Sequence, residues 1–195
     1  MADFAIKDGC GSGARVKVCE QNRLQTDAII MASVHSSSKK GYAYMFNTED
    51  TAPTLTVTTT GGYIAYLKNE SEYEMHLHKI ITTVDGAASL SIMRNPDLGT
   101  IGNENTHAPV NLNFSSSKTA EVVAYVWDEV GNGMTGITDG TTLRTTTIGA
   151  AGIVIMELSD ALILPRGARV GFVGKGIGGS REMGFSLLFY FHMAR

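Results

Sequence analysis

Residues 8–24 read DGCGSGARVKVCEQNRL, and the reading of this stretch separates two fold classes. Gly9, Gly11 and Ala14 fit the relaxed dinucleotide fingerprint G-x-G-x-x-[GA], and Asp27 follows at a spacing suited to a ribose-binding carboxylate. The fingerprint binds a pyrophosphate only where the glycine turn opens a helix, whose first amides hold the phosphates. Here the turn is followed by ARVKVCE, in which Val16 and Val18 alternate with Arg15, Lys17 and Cys19. Period two with β-branched residues is the mark of a strand. FAIKD, on the other side of the glycines, also reads as a short strand. The element is therefore expected to be a glycine hairpin rather than the start of a βαβ unit, and no nucleotide cofactor is expected.

Outward from this point the same period recurs. In TLTVTTT, Leu55 and Val57 share a face; in YEMHLHKII, Tyr73, Met75, Leu77 and Lys79 oppose Glu74, His76, His78 and Ile80. AEVVAYVW and the C-terminal FSLLFYFHM are apolar on both faces, as a strand covered on both sides must be. Turn chemistry separates the runs at TTTGGY, KNES, VDGAA, RNPDLGTIGNEN, FSSSK, EVGNGMTGITDGTT, LPRGAR and GKGIGGSRE. No dozen-residue stretch has helical periodicity. Many short strands without interleaved helices predict an all-β chain: a jelly-roll-like antiparallel β-sandwich of about eight core strands over residues 42–195. Residues 1–33 are expected to form an N-terminal arm or small hairpin, and the serine- and lysine-rich residues 34–41 a linker. The last strand, with Phe185, Leu187, Phe189 and Phe191, is expected mid-sheet or at a subunit contact.

Composition narrows the function classes. The 195 residues carry 16 Lys+Arg against 19 Asp+Glu, a net charge of −3, which does not describe a broad basic nucleic-acid surface. No apolar run reaches the roughly 20 residues of a membrane helix, and MADFAIKDG lacks the apolar core of a signal peptide. Cys10 and Cys19 flank the glycine turn; whether they are bridged depends on whether their Cβ atoms face each other.

Candidate chemistry is sparse. His76 and His78 form an H-x-H pair whose side chains share a face; they are weak metal candidates, with His107, His192 or a symmetry mate as a third ligand. Gly174–Ser180, GKGIGGS, has its lysine too early for a phosphate loop and leads into a strand. No G-x-S-x-G elbow is present, and the carboxylates are scattered, so an enzyme is not expected. Asp97, Asn103, Glu104 and Asn105 lack EF-hand spacing. Trp127, Tyr42, Tyr44, Tyr63 and Tyr66 are the aromatics from which a sugar platform could be built, against a core role for the same rings.

Two segments resemble structural proteins of tailed-bacteriophage virions. The first is D-G-x-G-S-G-x-x-x-K-V followed by N-R-L, matched by Asp8, Gly9, Gly11, Ser12, Gly13, Lys17, Val18, Asn22, Arg23 and Leu24. The second, RNP-x-x-G-T followed by N-x-N-F-G-S-x-K-T, is matched by Arg94 to Pro96, Gly99, Thr100, Asn111, Asn113, Phe114, Ser116, Lys118 and Thr119. LPRGARVGFVGKG before an apolar strand is similar too. Cys10, Cys19 and the all-serine turn at Ser115 to Ser117 depart from the pattern. The resemblance implies a non-enzymatic capsid decoration (cement) protein or head fibre. Such a protein would be made in the host cytoplasm, lie on the outer capsid surface and form a homotrimer. Its arm, including Arg15, Lys17 and Arg23, would rest on the major capsid protein. No direct nucleic-acid or membrane partner and no cofactor are expected. A receptor- or glycan-binding fibre module is the alternative, with a host-surface glycan as partner.

Overall fold

The computed structural model describes residues 33–48, 55–128 and 133–192. The expected arm, with Asp8, Gly9, Gly11, Gly13, Arg15, Lys17, Asn22, Arg23 and Leu24 and both cysteines, lies outside the described residues apart from Ser33. The elements run α1 (Ser33–Lys39), β1 (Ala43–Asn47), β2 (Leu55–Val57), β3 (Gly62–Asn69), β4 (Glu74–Val84), β5 (Ala88–Arg94), β6 (Asp97–Gly102), β7 (Glu104–Thr106), β8 (Val110–Asn111), β9 (Val122–Trp127), β10 (Thr135–Thr138), β11 (Thr141–Ile148), β12 (Gly152–Leu164), β13 (Arg169–Gly176) and β14 (Arg181–His192).

They build the antiparallel sandwich that the period-two pattern predicts. One six-stranded sheet has the order β12-β4-β14-β1-β8, with β2 also on β14; the other is β11-β5-β13-β3-β9-β7. From β2 to β5, from β7 to β9 and from β11 to β14, sequential strands cross from one sheet to the other. The registers pair Val84 with both Gly152 and Met183, and Ala88 with both Ile148 and Gly176. The loops 85–87, 149–151 and 177–180 therefore gather at one end of the sandwich. The outlying pair β6 and β10 forms a two-stranded ribbon.

The core lies between the sheets. Phe172 of one sheet and Phe185 of the other meet at 4.6 Å between ring centroids. Phe185, Leu187 and Phe189 are at most 1 % exposed and Phe191 is 4 % exposed. Each such side chain contributes about 1.5–3 kcal/mol by leaving water. This corrects one expectation and keeps its other half. β14 is mid-sheet, between β4 and β1. Its four apolar side chains, however, face the protomer's own core and are not available to a second subunit.

Other departures have local causes. The turn-rich stretches around Gly99 and Gly136 contain β6 and β10, which pair with each other. GIVIMEL and ALILP are a single strand, β12, whose register on β4 slips between Glu157 and Leu162. The eight expected core strands become two sheets of six. The stretch expected as a linker holds α1, which packs on β1 and β14. Serine is a modest helix former, so a seven-residue serine-rich helix draws its stability from that packing and from its cap.

Candidate functional site

The C-terminus of α1 is closed by a Schellman motif. Tyr42 N donates to Ser37 O at 2.8 Å and Gly41 N to Ser38 O at 2.9 Å, with Gly41 at φ +74°. The next three carbonyls, of Lys39, Lys40 and Gly41, are left for other donors. The loop NLNFSSSK supplies one for each. Asn113 Nδ2 donates to Lys39 O at 3.0 Å, Lys118 Nζ to Lys40 O at 2.9 Å, and Asn111 Nδ2 to Gly41 O at 3.1 Å. Lys118 Nζ also sits 3.5 Å from the centroid of the Tyr42 ring, a cation–π contact.

The loop is stiffened from within by turns that side chains mimic. Asn111 Oδ1 accepts from Asn113 N, Asn113 Oδ1 from Ser115 N, and Ser116 Oγ from Lys118 N, at 2.9, 3.0 and 3.2 Å. Each bond spans two residues. At the tip of this clasp Phe114 is 97 % exposed. A fully exposed aromatic on a hydrogen-bonded loop, beside the exposed Lys39, Lys40 and Lys118, has the character of a contact anchor.

The Arg94–Pro96 stretch is also a turn under constraint. Asn95 adopts φ +47° and exchanges bonds with Arg169: Asn95 N donates to Arg169 O at 2.9 Å, and Arg169 N to Asn95 Oδ1 at 3.2 Å. The Arg169 guanidinium donates to Pro96 O at 3.1 Å and pairs with Asp97 at 3.3 Å. Asp97, one of the loop oxygens weighed for calcium, is thus engaged by a cation.

The expected aromatics are dispersed. Trp127 and Tyr66 are in the core. Tyr63 donates to Asp139 O at 2.8 Å, and burial, then the Asp139 charge, raises its pKa. Tyr42 and Tyr44 line a cleft of about 400 Å³ with Tyr73, Ser71, Lys118 and Glu121. The Tyr42 and Tyr73 rings meet edge to face at 6.0 Å. Burial, then Tyr42 and Glu121, raises the Tyr44 pKa. Tyr73, 37 % exposed, is the ring that the sequence reading omitted from this set; its place in the β3–β4 turn is set by Asn69, which donates to Tyr73 O at 2.8 Å.

His76 stacks on Tyr190 at 5.2 Å, with His192 5.3 Å away and Glu74 3.6 Å from its Nε2. His78 lies against the same Tyr190 ring at 6.5 Å, while His107 is elsewhere, beside Phe46 at 5.6 Å. Of the third ligands named from sequence, the fold brings His192 close and keeps His107 apart. No group of three or more His, Cys, Asp or Glu among the described residues is arranged to hold a metal ion.

Compared with known proteins, the chain matches no family model, no curated sequence and no solved structure.

Proposed function

We propose that this chain is a non-enzymatic structural protein of a bacteriophage virion, a decoration or cement protein that binds the major capsid protein as a homo-oligomer. One observation carries the reading. Of the residues that carry the second virion-protein resemblance, Asn111, Asn113, Ser116 and Lys118 are the ones that build the clasp on residues 39–41, and Phe114 is the ring that the clasp presents. The similarity therefore falls on side chains with a physical task, next to α1. Glycines at 9, 11 and 13 suit an arm that must approach another backbone closely. Several arms per oligomer would convert weak contacts into lasting attachment.

The test is deletion of residues 1–33. The truncated sandwich is expected to fold and to lose binding to undecorated capsids, while the full chain binds. Normal decoration by the truncated protein would contradict the reading.

A second reading, a glycan-binding virion module, is favoured by the cleft of Tyr42, Tyr73 and Glu121. It predicts sugar binding on an array that Tyr73→Ala abolishes.

A further inference from the structure

Phe114 is 97 % exposed and yet held in place. The bond from Ser115 N to Asn113 Oδ1, at 3.0 Å, closes a turn around it, and the Asn113 amide ties that turn to Lys39 O. A ring with almost no contact to its own chain, on a loop with little freedom left to lose, is a pre-organised knob. The two segments that build the clasp, 33–42 and 110–119, contain Lys39, Lys40, Lys118 and His35 and no acid, in a chain whose net charge is −3. Among the described residues Lys39 and Lys40 make no ion pair.

A receptacle of matching chemistry lies on the same chain. Further along the loop, Lys118 lines the cleft of about 400 Å³ together with Tyr42, Tyr44, Tyr73, Phe191 and Glu121. A cavity of about 150 Å³ admits a benzene ring, so this cleft takes an aromatic side chain with part of the turn that carries it. Its walls suit a ring, since Tyr42 and Tyr73 already meet edge to face at 6.0 Å and a third ring extends such a cluster. The charge is reversed relative to the knob. The turn 69–74, which sets Ser71 and Tyr73 on the wall, reads NESEYE. Glu70 is paired with Lys68 at 2.5 Å and Glu74 lies 3.6 Å from His76, whereas Glu72 and Glu121 have no cationic partner among the described residues.

We infer that the Phe114 ring of one copy occupies the Tyr42–Tyr73 cleft of another, with Lys39 and Lys40 beside the ring facing Glu72 and Glu121 beside the cleft. The two patches complement each other in shape and in sign. The ring cannot serve its own cleft, because the bonds that fix its turn leave it in water. Knob and cleft are separate patches of one chain, so the contact passes from copy to copy and closes as a reciprocal pair or as a ring. An aromatic side chain buries about 150–250 Å², which with its rim places each contact in the small, weak class of interfaces below about 1,200 Å². Association is therefore concentration-dependent and, being steered by exposed charges, weaker in high salt. The inference needs only a second copy of the chain and stands whether or not the chain belongs to a virion.

The test uses the full chain in sedimentation equilibrium from about 1 μM to about 1 mM, the range of a weak contact. The average mass should rise above the 20.8 kDa of one chain as concentration increases. Phe114→Ser should stay at one chain mass with an unchanged circular dichroism spectrum, because the ring is already in water in the separate protomer. Lys39→Glu/Lys40→Glu and Glu72→Lys/Glu121→Lys should each stay at one chain mass, since either meets like charge across the contact. Mixed in equal parts, these two variants should associate again, because every facing pair is then of opposite sign. Four results would overturn the inference: a single-chain mass for the unmodified protein at every concentration, association that survives Phe114→Ser, association that survives Glu72→Lys/Glu121→Lys, as stacking of one Phe114 on another would, or a mixture that stays at one chain mass. A chain that stays single and binds a sugar on the array through Tyr73 would give the cleft to the glycan instead.

Discussion

Asn113 Nδ2 donates to the carbonyl of Lys39 at 3.0 Å and so ties the loop that carries Phe114 to the last residue of α1. With Asn111 on Gly41 O and Lys118 on Lys40 O, one eight-residue loop donates to three consecutive carbonyls at the helix end. Asn111→Ala removes a donor from each of two carbonyls, those of Gly41 and Lys118; Gly41 O still accepts from Tyr44 Oη at 3.2 Å, so the expected cost is about 0.5–1.5 kcal/mol. A lowered melting midpoint, with faster tryptic cleavage at Lys39, Lys40 or Lys118, checks it. Unchanged cleavage would mean that the clasp does not hold the loop.

Gly41 is the hinge of the same clasp. Its φ of +74° suits glycine, and an added Cβ would meet the hydroxyl of Ser116 and lie 2.8 Å from the Ser116 Cβ. Gly41→Ala should therefore destabilise by about 2 kcal/mol or more, a fall in midpoint of roughly 4–8 °C for a domain of this size. Adding Ser116→Gly relieves the contact but not the backbone strain, so it should restore only part of the loss. Full restoration would assign the whole effect to the contact.

Phe189 separates core from interface. Its ring stacks on Tyr44 at 5.7 Å and is fully buried within one protomer. Phe189→Ala should cost about 3–5 kcal/mol whatever the protein concentration. A midpoint that recovers as concentration rises would return this side chain to a subunit contact.

Tyr66 sets an alkaline limit. Burial, more than its neighbours, raises its phenol from 10.0 to about 12, and among the described residues its hydroxyl has no hydrogen-bond partner. The neutral phenol is favoured in the folded chain. Its contribution is complete below pH 10 and is lost as the unfolded chain sheds a proton that the folded chain keeps, between pH 10 and about 12. Tyr66→Phe should flatten the fall in stability over that window and leave stability at pH 7 unchanged or higher, since no bond is lost. Denaturant titrations at pH 7, 10 and 12 check both halves.

The sandwich was legible in the sequence where burial is one-sided. In β2, Leu55 and Val57 are buried and Thr56 is exposed, as alternation requires. β4 follows the pattern through Leu77 and then leaves it: Ile80 is buried where Lys79 was expected to share the face of Leu77. The reason is the bulge that pairing with β14 and β12 imposes between Leu77 and Lys79, and a long-range register leaves no local trace. β6 and β10 were hidden for a similar cause, since their glycine-rich chains become strands only by finding each other. Phe185, Leu187, Phe189 and Phe191 read as candidates for a subunit contact because a two-faced apolar strand reads alike whether the second cover is a sheet or another chain; within the protomer the second cover is the facing sheet. The clasp was visible as a resemblance at Asn111, Asn113 and Lys118, but its target, the carbonyls at 39–41, belongs to a stretch read as a linker.

The most direct test of the proposal that this chain belongs to a phage head is a cryo-electron microscopy map of the particles produced in cells that express it. The account predicts density for the two-sheet sandwich on the outer surface of the head, with residues 1–33 continuing onto the major capsid protein. Absence of the chain from purified particles, or its density at a site away from the head surface, would contradict it.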